Sequence, residues 1–500
     1  MTSAPPKVQL APGLEISRVV IGLWQIADME KDGRRLDLGA LAGEMSAYAA
    51  AGFDSFDMAD HYGSAEDIAG QFNAASRGSP AQSAQPRLLT KWCPEPGPVS
   101  PEIAGAAVTR ALRRLQTARI DLMQFHWWMF QHPAWIDALK ELAELRHEGL
   151  IGELGLTNFN TDHLRLAVAH GFPVVSNQIC FSLLDRRAAG DMSEFCSASG
   201  VRLLAYGTLA GGLLTDKWHR RPEPAPHEMT EWSTMKYMRF VHEIGGWAVL
   251  QSILDALAAI ARRHEVSIAN VATRWVLEQE SVAAVILGAR LGEAEHRGDN
   301  LRVFDFTLDR RDHDLLAAAL ARAKPLPGDC GDEYRRPPYL TATGDLRHHI
   351  AQFPSVYVPQ PMGERPGRLR VDSGSMWESL AGYSRAIRVG DRILVSGTTA
   401  THGSGEMIAP DDAGAQAVYI LDKIQASIEA LGGKLEDVVR TRIYLRNHRD
   451  WEAVARVHGR YLGHARPANT LIEISNLIGG YAVEIEAEAM LSRGPQRAPT

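Results

Sequence analysis

Four side chains suited to proton-coupled reduction of a carbonyl stand at or just after the ends of successive apolar runs. Asp57 lies near the end of GFDSFDMA, Tyr62 follows five residues later, Lys91 falls near the end of RLLTKW, and His126 sits in IDLMQFHWW. A carbonyl carbon that accepts hydride leaves alkoxide character on its oxygen, and that oxygen needs a proton. A phenol, with an ordinary pKa of about 10, is a poor acid unless a neighbouring cation stabilises the phenolate. Lys91 carries such a cation, Asp57 can hold it in place, and His126 can hydrogen-bond and orient the substrate oxygen. Taken singly, each has an ordinary structural reading: a satisfied ion pair, a turn tyrosine, a core histidine beside two tryptophans. As an ordered set they point to catalysis.

The elements that must carry these residues alternate regularly from about 15 to 325. Eight short apolar runs (17–24, 52–59, 87–92, 120–128, 151–159, 174–179, 201–207 and 282–290) are separated by stretches such as SPEIAGAAVTRALRRLQ and AWIDALKELAELRHEG, apolar at three- and four-residue spacing. Apolar runs without strict alternation suit strands buried on both faces of a parallel sheet. Eight β–α units over this length predict a (β/α)8 barrel, whose active site lies at the C-terminal ends of its strands. The long stretch 209–247, rich in aromatics, follows the seventh run and is expected at that rim. A second, α+β domain is predicted from about 380 in the order ββαβαββ, giving boundaries of 1–340, a linker at 341–379, and 380–500.

Composition narrows the classes. The chain has 500 residues, is 45% hydrophobic and 23% charged, and carries a formal charge of −7. That predicts two to four folded domains and no general attraction to nucleic acid or anionic membranes. No run of 18 apolar residues offers a membrane span, and the N-terminus lacks a secretory core. Cys93, Cys180, Cys196 and Cys330 are scattered without CxxC spacing. They read as reduced thiols of a cytoplasmic enzyme, with neither a disulfide frame nor a metal site expected.

FDMADHYGSAEDIAG, LLTKW, DLMQFHWW, GLTNF, VVSNQI and VILGAR, in this order over roughly 10–340, resemble the aldo-keto reductase motifs. The resemblance implies a nicotinamide-dependent barrel enzyme interconverting carbonyls and alcohols, with Tyr62 as general acid/base, Lys91 and Asp57 tuning it, and His126 binding substrate. It places Thr157, Asn158 and Gln178 at the carboxamide and Tyr206 against the nicotinamide ring. Gly288 would let backbone approach a phosphate, Arg290 and Arg297 would meet a 2′-phosphate, and Glu293 and Asn300 would face the adenine side. NADP(H) is therefore expected ahead of NAD(H). Trp24, Trp127 and Trp128 are expected to wall the mouth, suiting sugar faces and flat apolar carbonyls equally. Aldose oxidation and aldehyde reduction both remain open.

YSRAIRVGDRILVSG, LGGKLEDVVRTRIYL, RPANTLIEI and VEIEAEAM resemble the Rid family of reactive enamine/imine deaminases over about 380–492. This implies an α+β, chorismate-mutase-like fold that assembles as a trimer, with Tyr383, Asn469 and Glu484 at the pocket positions. Asn469 stands where the family has the arginine that grips a carboxylate, so the domain is expected to trimerise the protein and hold a small ligand. Two alternatives are a bifunctional imine deaminase and carbonyl reductase, and a nicotinamide-sensing regulatory protein.

Overall fold

Each of the eight apolar runs contains one barrel strand: β1 (Val19–Gly22), β2 (Ser55–Asp57), β3 (Arg87–Trp92), β4 (Ile120–His126), β5 (Ile151–Thr157), β6 (Val174–Cys180), β7 (Arg202–Tyr206) and β8 (Val282–Gly288). The computed structural model describes residues 4–77, 85–341, 353–363 and 367–491. All neighbouring strands pair in parallel and β8 closes on β1. Local signals start the intervening helices. Proline opens Pro101–Arg114, Asn160 caps Thr161–Ala169 through the backbone N–H of His163, and Ser267 caps Ile268–Leu277.

A hairpin outside the eightfold repeat, Lys7–Ala11 with Leu14–Ser17, turns at Gly13. Its Leu10, Leu14 and Ile16 join Val20, Leu89, Leu122, Leu204 and Ala284 in one buried cluster, so it packs against residues of the barrel strands. The stretch 209–247 forms three short 3₁₀ turns followed by the helix Trp232–Glu243.

The C-terminal domain is a seven-stranded mixed sheet built from β9 (Gln360–Pro361), β10 (Arg368–Val371), β11 (Ala386–Val389), β12 (Arg392–Thr398), β13 (Val438–Leu445), β14 (Ala468–Glu473) and β15 (Val483–Met490). Its order is β9-β10-β11-β12-β15-β13-β14, and only β13 and β14 run parallel. The expected ββαβαββ core is present. The sheet nevertheless begins inside the stretch expected to be linker, because β9 and β10 extend its edge.

The helix Ala413–Ala430 packs on this sheet, and the helix Trp451–Leu462 packs against that helix. Ala413–Ala430 reads as amphipathic in sequence, yet nearly all of it is buried, including Gln416, Asp422 and Lys423. Asp422 meets the barrel helix Thr161–Ala169 instead of water, while Gln416 and Lys423 find partners inside the C-terminal domain. Across that contact Arg165 pairs with Asp412 at 2.9 Å, His163 with Asp422 at 2.8 Å, and Arg460 with Asp162 at 2.6 Å. Lys140 pairs with Glu406, and His402 lies 2.9 Å from Asp137. Among the described residues, no single helix is long and apolar enough to cross a membrane.

Candidate active site

The carboxyl ends of the barrel strands open into a cavity of about 630 Å³. Asp57, at the end of β2, and Lys91, near the end of β3, meet on its floor with Nζ–Oδ2 at 2.5 Å, both almost wholly buried. Lys91 also donates to the Met58 carbonyl at 2.8 Å. The other carboxylate oxygen of Asp57 accepts from Gln124 at 2.9 Å and Gln178 at 2.8 Å. A buried ion pair of this kind costs desolvation, and the added amide donors offset part of it by satisfying the remaining lone pairs. The Lys91 ammonium lies 4.9 Å from the centre of the half-buried Tyr62 ring.

His126 ends β4 with its ring 4.2 Å from Trp128 and 5.5 Å from Tyr334. Burial, followed by the positive charges of Arg335, His61, Lys91 and Lys236, holds its imidazole well below the ordinary histidine range. The ring is therefore neutral at neutral pH and can offer one N–H. Its Nε2 is buried without a partner among the described residues, as is Nε1 of Trp128. The four residues of the sequence set thus line one cavity. The arrangement can hold a carbonyl oxygen between an imidazole N–H and a phenol that has a cation beside it.

The expected cofactor residues fall into two groups. Thr157, Asn158, Gln178 and Tyr206 line the cavity at the ends of β5, β6 and β7. The buried Thr157 hydroxyl has no partner among the described residues. Asn158 adopts a left-handed φ of 56° and accepts from the Tyr206 hydroxyl at 2.8 Å. Gly288 stands at the end of β8 and lines the cavity; an added Cβ would lie 2.2 Å from the Gln25 side-chain amide, which would have to move aside. Arg290 and Asn300 also line the cavity. Arg290 is already engaged with Asp28 at 2.7 Å and Glu293 at 2.9 Å, while Glu293 turns to Arg34 at 2.6 Å and lies off the cavity wall. Arg297 is held by Glu295 and packs on Tyr48.

Trp24 and Trp128 line the cavity, but Trp127, expected at the mouth with them, does not. Its indole is fully buried, stacks on Phe125 and donates to the Met129 carbonyl at 2.6 Å. Trp127 and Trp128 both follow the end of β4 at His126, and only Trp128 turns into the cavity. The stretch 209–247 does reach the site, through Trp218, Ser233, Lys236 and Tyr237.

Four participants escaped the sequence reading. Gln124 lies two residues before His126 and so shares its face, a signal available from strand alternation. Lys236 donates to the Tyr334 hydroxyl at 2.6 Å over the mouth. Glu333 pairs with the buried Arg187 at 2.8 Å behind Tyr206. Tyr334 and Glu333 belong to GDCGDEYRR, which has no periodic pattern to reveal its destination.

In the C-terminal domain the structure does not bring Tyr383, Asn469 and Glu484 together within one chain. Asn469 donates to Thr441 at 3.0 Å. Thr441 and Glu484 occupy opposite alternations of β13 and β15, because Thr441 pairs with Ala487 while Tyr444 pairs with Glu484. Glu484 instead shares surroundings with Tyr383 and the buried Arg385, whose charge partly opposes the upward push of burial on the Glu484 carboxyl.

A closed parallel eight-stranded barrel with a cavity at the carboxyl ends of its strands defines the (β/α)8 class. Comparison with known sequences fixes the family. Residues 18–321 match the model described as Aldo/keto reductase family, and residues 374–491 match the one described as Endoribonuclease L-PSP. Protein tas of Escherichia coli (strain K12) is 33% identical over 204 residues, 37% of this chain and 57% of that protein, so the chain spans little more than half of that relative's length. The uncharacterized protein SCO2049 of Streptomyces coelicolor is 36% identical over 121 residues, 24% of this chain and 90% of that one. The glycerol dehydrogenase AKR11B4 structure from Gluconobacter oxydans shares the fold, with TM-score 0.54 at 24% identity over 66% of this chain and 98% of that one. The chain belongs to the aldo/keto reductase family and carries a Rid-type domain in its C-terminal part.

Proposed function

We propose that the barrel interconverts a small carbonyl compound and its alcohol, with Tyr62 as the general acid/base. The observation that carries this reading is the buried Asp57–Lys91 pair at 2.5 Å, with its ammonium 4.9 Å from the Tyr62 ring, in the same cavity as the unpartnered Nε2 of His126. When bound, a nicotinamide dinucleotide supplies or accepts the hydride. The unpartnered Thr157 hydroxyl and the side-chain-free backbone at Gly288 on the cavity wall fit such a group. In the reductive direction His126 donates to the carbonyl oxygen and Tyr62 delivers the proton, while Lys91 stabilises the phenolate left behind. Oxidation runs the same transfers in reverse. Trp24 and Trp128 present flat faces to aldoses and apolar carbonyls alike. Tyr62→Phe should lower turnover about 10³-fold, in line with loss of a general acid, while dinucleotide binding, read by protein fluorescence, stays within twofold of wild type. Wild-type turnover in that variant would refute the assignment.

NADP(H) is the proposed preferred cofactor, with the Arg290 guanidinium exchanging a carboxylate for the 2′-phosphate. Its present engagement with Asp28 and Glu293 makes that preference modest. Arg290→Leu should weaken NADPH binding about 10-fold and leave NADH binding unchanged; equal loss for both would remove Arg290 from 2′-phosphate recognition. For the C-terminal domain we propose trimer formation without amino-acid deamination, because Asn469 supplies no guanidinium and faces away from Glu484. Four free thiols accord with the cytoplasmic location proposed for the protein.

A further inference from the structure

The contact between the two domains ends close to the active site. His163, on the barrel helix Thr161–Ala169, is buried between domains with both ring nitrogens facing oxygen acceptors. Nδ1 lies 2.7 Å from Asn160 Oδ1, and Nε2 lies 2.8 Å from Asp422 Oδ2 on the helix Ala413–Ala430. The other oxygen of Asp422 accepts from the Tyr461 hydroxyl at 2.7 Å. Asn160 is two residues beyond Asn158, and the same Oδ1 caps the helix. The histidine therefore links the C-terminal domain directly to the loop after β5.

The His163 ring also lies flat on Phe130, with centroids 3.6 Å apart and planes 10° from parallel. Phe130 follows Trp128 by two residues in the loop after β4, and the Arg335 guanidinium packs 4.2 Å from the centre of its ring. Arg335 in turn donates to the carbonyls of Asn158, at 2.7 Å, and of Trp127. One guanidinium thereby ties the loop carrying Asn158 to the loop carrying Trp128. Gly331, which precedes it, has a left-handed φ of 81° and sits where a Cβ would come 2.1 Å from the Asn158 carbonyl, so the tail is pressed against that loop. The next residue, Arg336, reaches back over the Tyr461 ring at 5.7 Å.

We propose that Asp422 of the C-terminal domain is a positioning residue for the barrel's site, acting through His163 and Phe130 on Arg335 and so on the two loops that bear Asn158 and Trp128. The Rid-type domain then completes the oxidoreductase site structurally, whatever ligand it holds itself. The inference rests on the reading of the barrel as a dinucleotide-dependent carbonyl oxidoreductase. Packed contacts transmit position only where each member is fixed on both sides, and here every link from Asp422 to Asn158 is buried or half-buried and hydrogen-bonded or stacked.

The test compares full-length Asp422→Leu, Asp422→Asn and Arg460→Met with wild type. Asparagine can still accept from His163 and pair with the Tyr461 hydroxyl, whereas leucine cannot. Arg460→Met removes the neighbouring pair with Asp162 and leaves the relay in place. Asp422→Leu should weaken NADPH binding and raise the carbonyl KM, each about 10-fold, with kcat within threefold. It should also speed amide hydrogen exchange in 127–131 and 157–163. Asp422→Asn and Arg460→Met should stay within twofold on all of these readouts. Wild-type binding, KM and exchange in Asp422→Leu would overturn the proposal, as would equal impairment in Arg460→Met, which would indicate general domain docking. If Asp422→Leu does not fold, Phe130→Leu interrupts the same relay inside the barrel and should give the same 10-fold effects; an unaffected Phe130→Leu would equally overturn it. Should wild type bind no dinucleotide, the functional reading fails by itself, and the exchange data still decide whether Asp422 orders the two loops.

Discussion

At the scale of single residues, the site is organised around one carboxylate. Asp57 receives Lys91, Gln124 and Gln178 together, so neutralising it leaves the buried ammonium without its counter-charge. Breaking one side of a buried pair typically costs about 3–5 kcal/mol, because the remaining charge is uncompensated. Asp57→Asn should therefore lower stability by about 3 kcal/mol in denaturant unfolding and turnover by about 100-fold. Adding Lys91→Met should recover most of the stability, since no buried charge then remains, and none of the turnover. A double variant as unstable as the single one would mean the pair is not the source of the loss. Asp57, Tyr62, Lys91 and His126 were legible in the sequence because a barrel delivers residues at successive strand ends to one mouth. Trp127 was not, since both tryptophans lie past the end of β4, where strand alternation no longer fixes which member faces inward. Gln124 was overlooked although its alternation with His126 was in plain view.

At the scale of elements, the barrel strands were readable because a parallel sheet covered on both faces imprints near-continuous apolar runs. The helix Ala413–Ala430 was misleading for the opposite reason. Its polar residues looked like a solvent face, and a sequence cannot tell water from a second domain that offers partners. Lys423, buried on the same helix but partnered inside the C-terminal domain, shows the energetic consequence of such burial. It is almost fully buried, donates to the Thr401 carbonyl at 2.9 Å, and is pushed by burial down to about 7. The unfolded chain keeps that proton up to about pH 10.4. Between about pH 7 and 10 the unfolded state thus binds more protons, and stability rises with pH. Lys423→Met should remove this rise, so that its stability relative to wild type falls by about 1–2 kcal/mol between pH 7.5 and 9.5. Parallel pH profiles for the two proteins, followed by urea unfolding, would show that Lys423 is not titrating as its burial implies.

At the scale of the whole molecule, the docking of the helix Ala413–Ala430 decides what surface is left for a second copy. The barrel takes the helical side of the C-terminal domain, leaving the opposite face of its sheet and the edge strand β14. That face carries Arg442 bound to Glu486 at 2.8 Å and Arg392 bound to Glu488 at 2.7 Å, charges already matched within the chain. Apolar residues remain exposed around it: Val439 at 45%, Ile472 on β14 at 45% and Ile478 at 82%. An unpaired strand edge beside exposed aliphatic side chains is the kind of surface that associates unless it is covered. A cyclic assembly of three chains through this face would cover it while leaving each barrel mouth open, since the mouths lie on a different domain. Light scattering of the full-length protein should therefore give three times the 54.8-kDa chain mass. Ile472→Asp should shift the mass to one chain while the barrel retains dinucleotide binding, because the aspartate places a charge on the covered edge and touches nothing in the site. A full-length protein of single-chain mass at tens of micromolar would rule out the trimer, and a trimeric Ile472→Asp would move the interface away from β14.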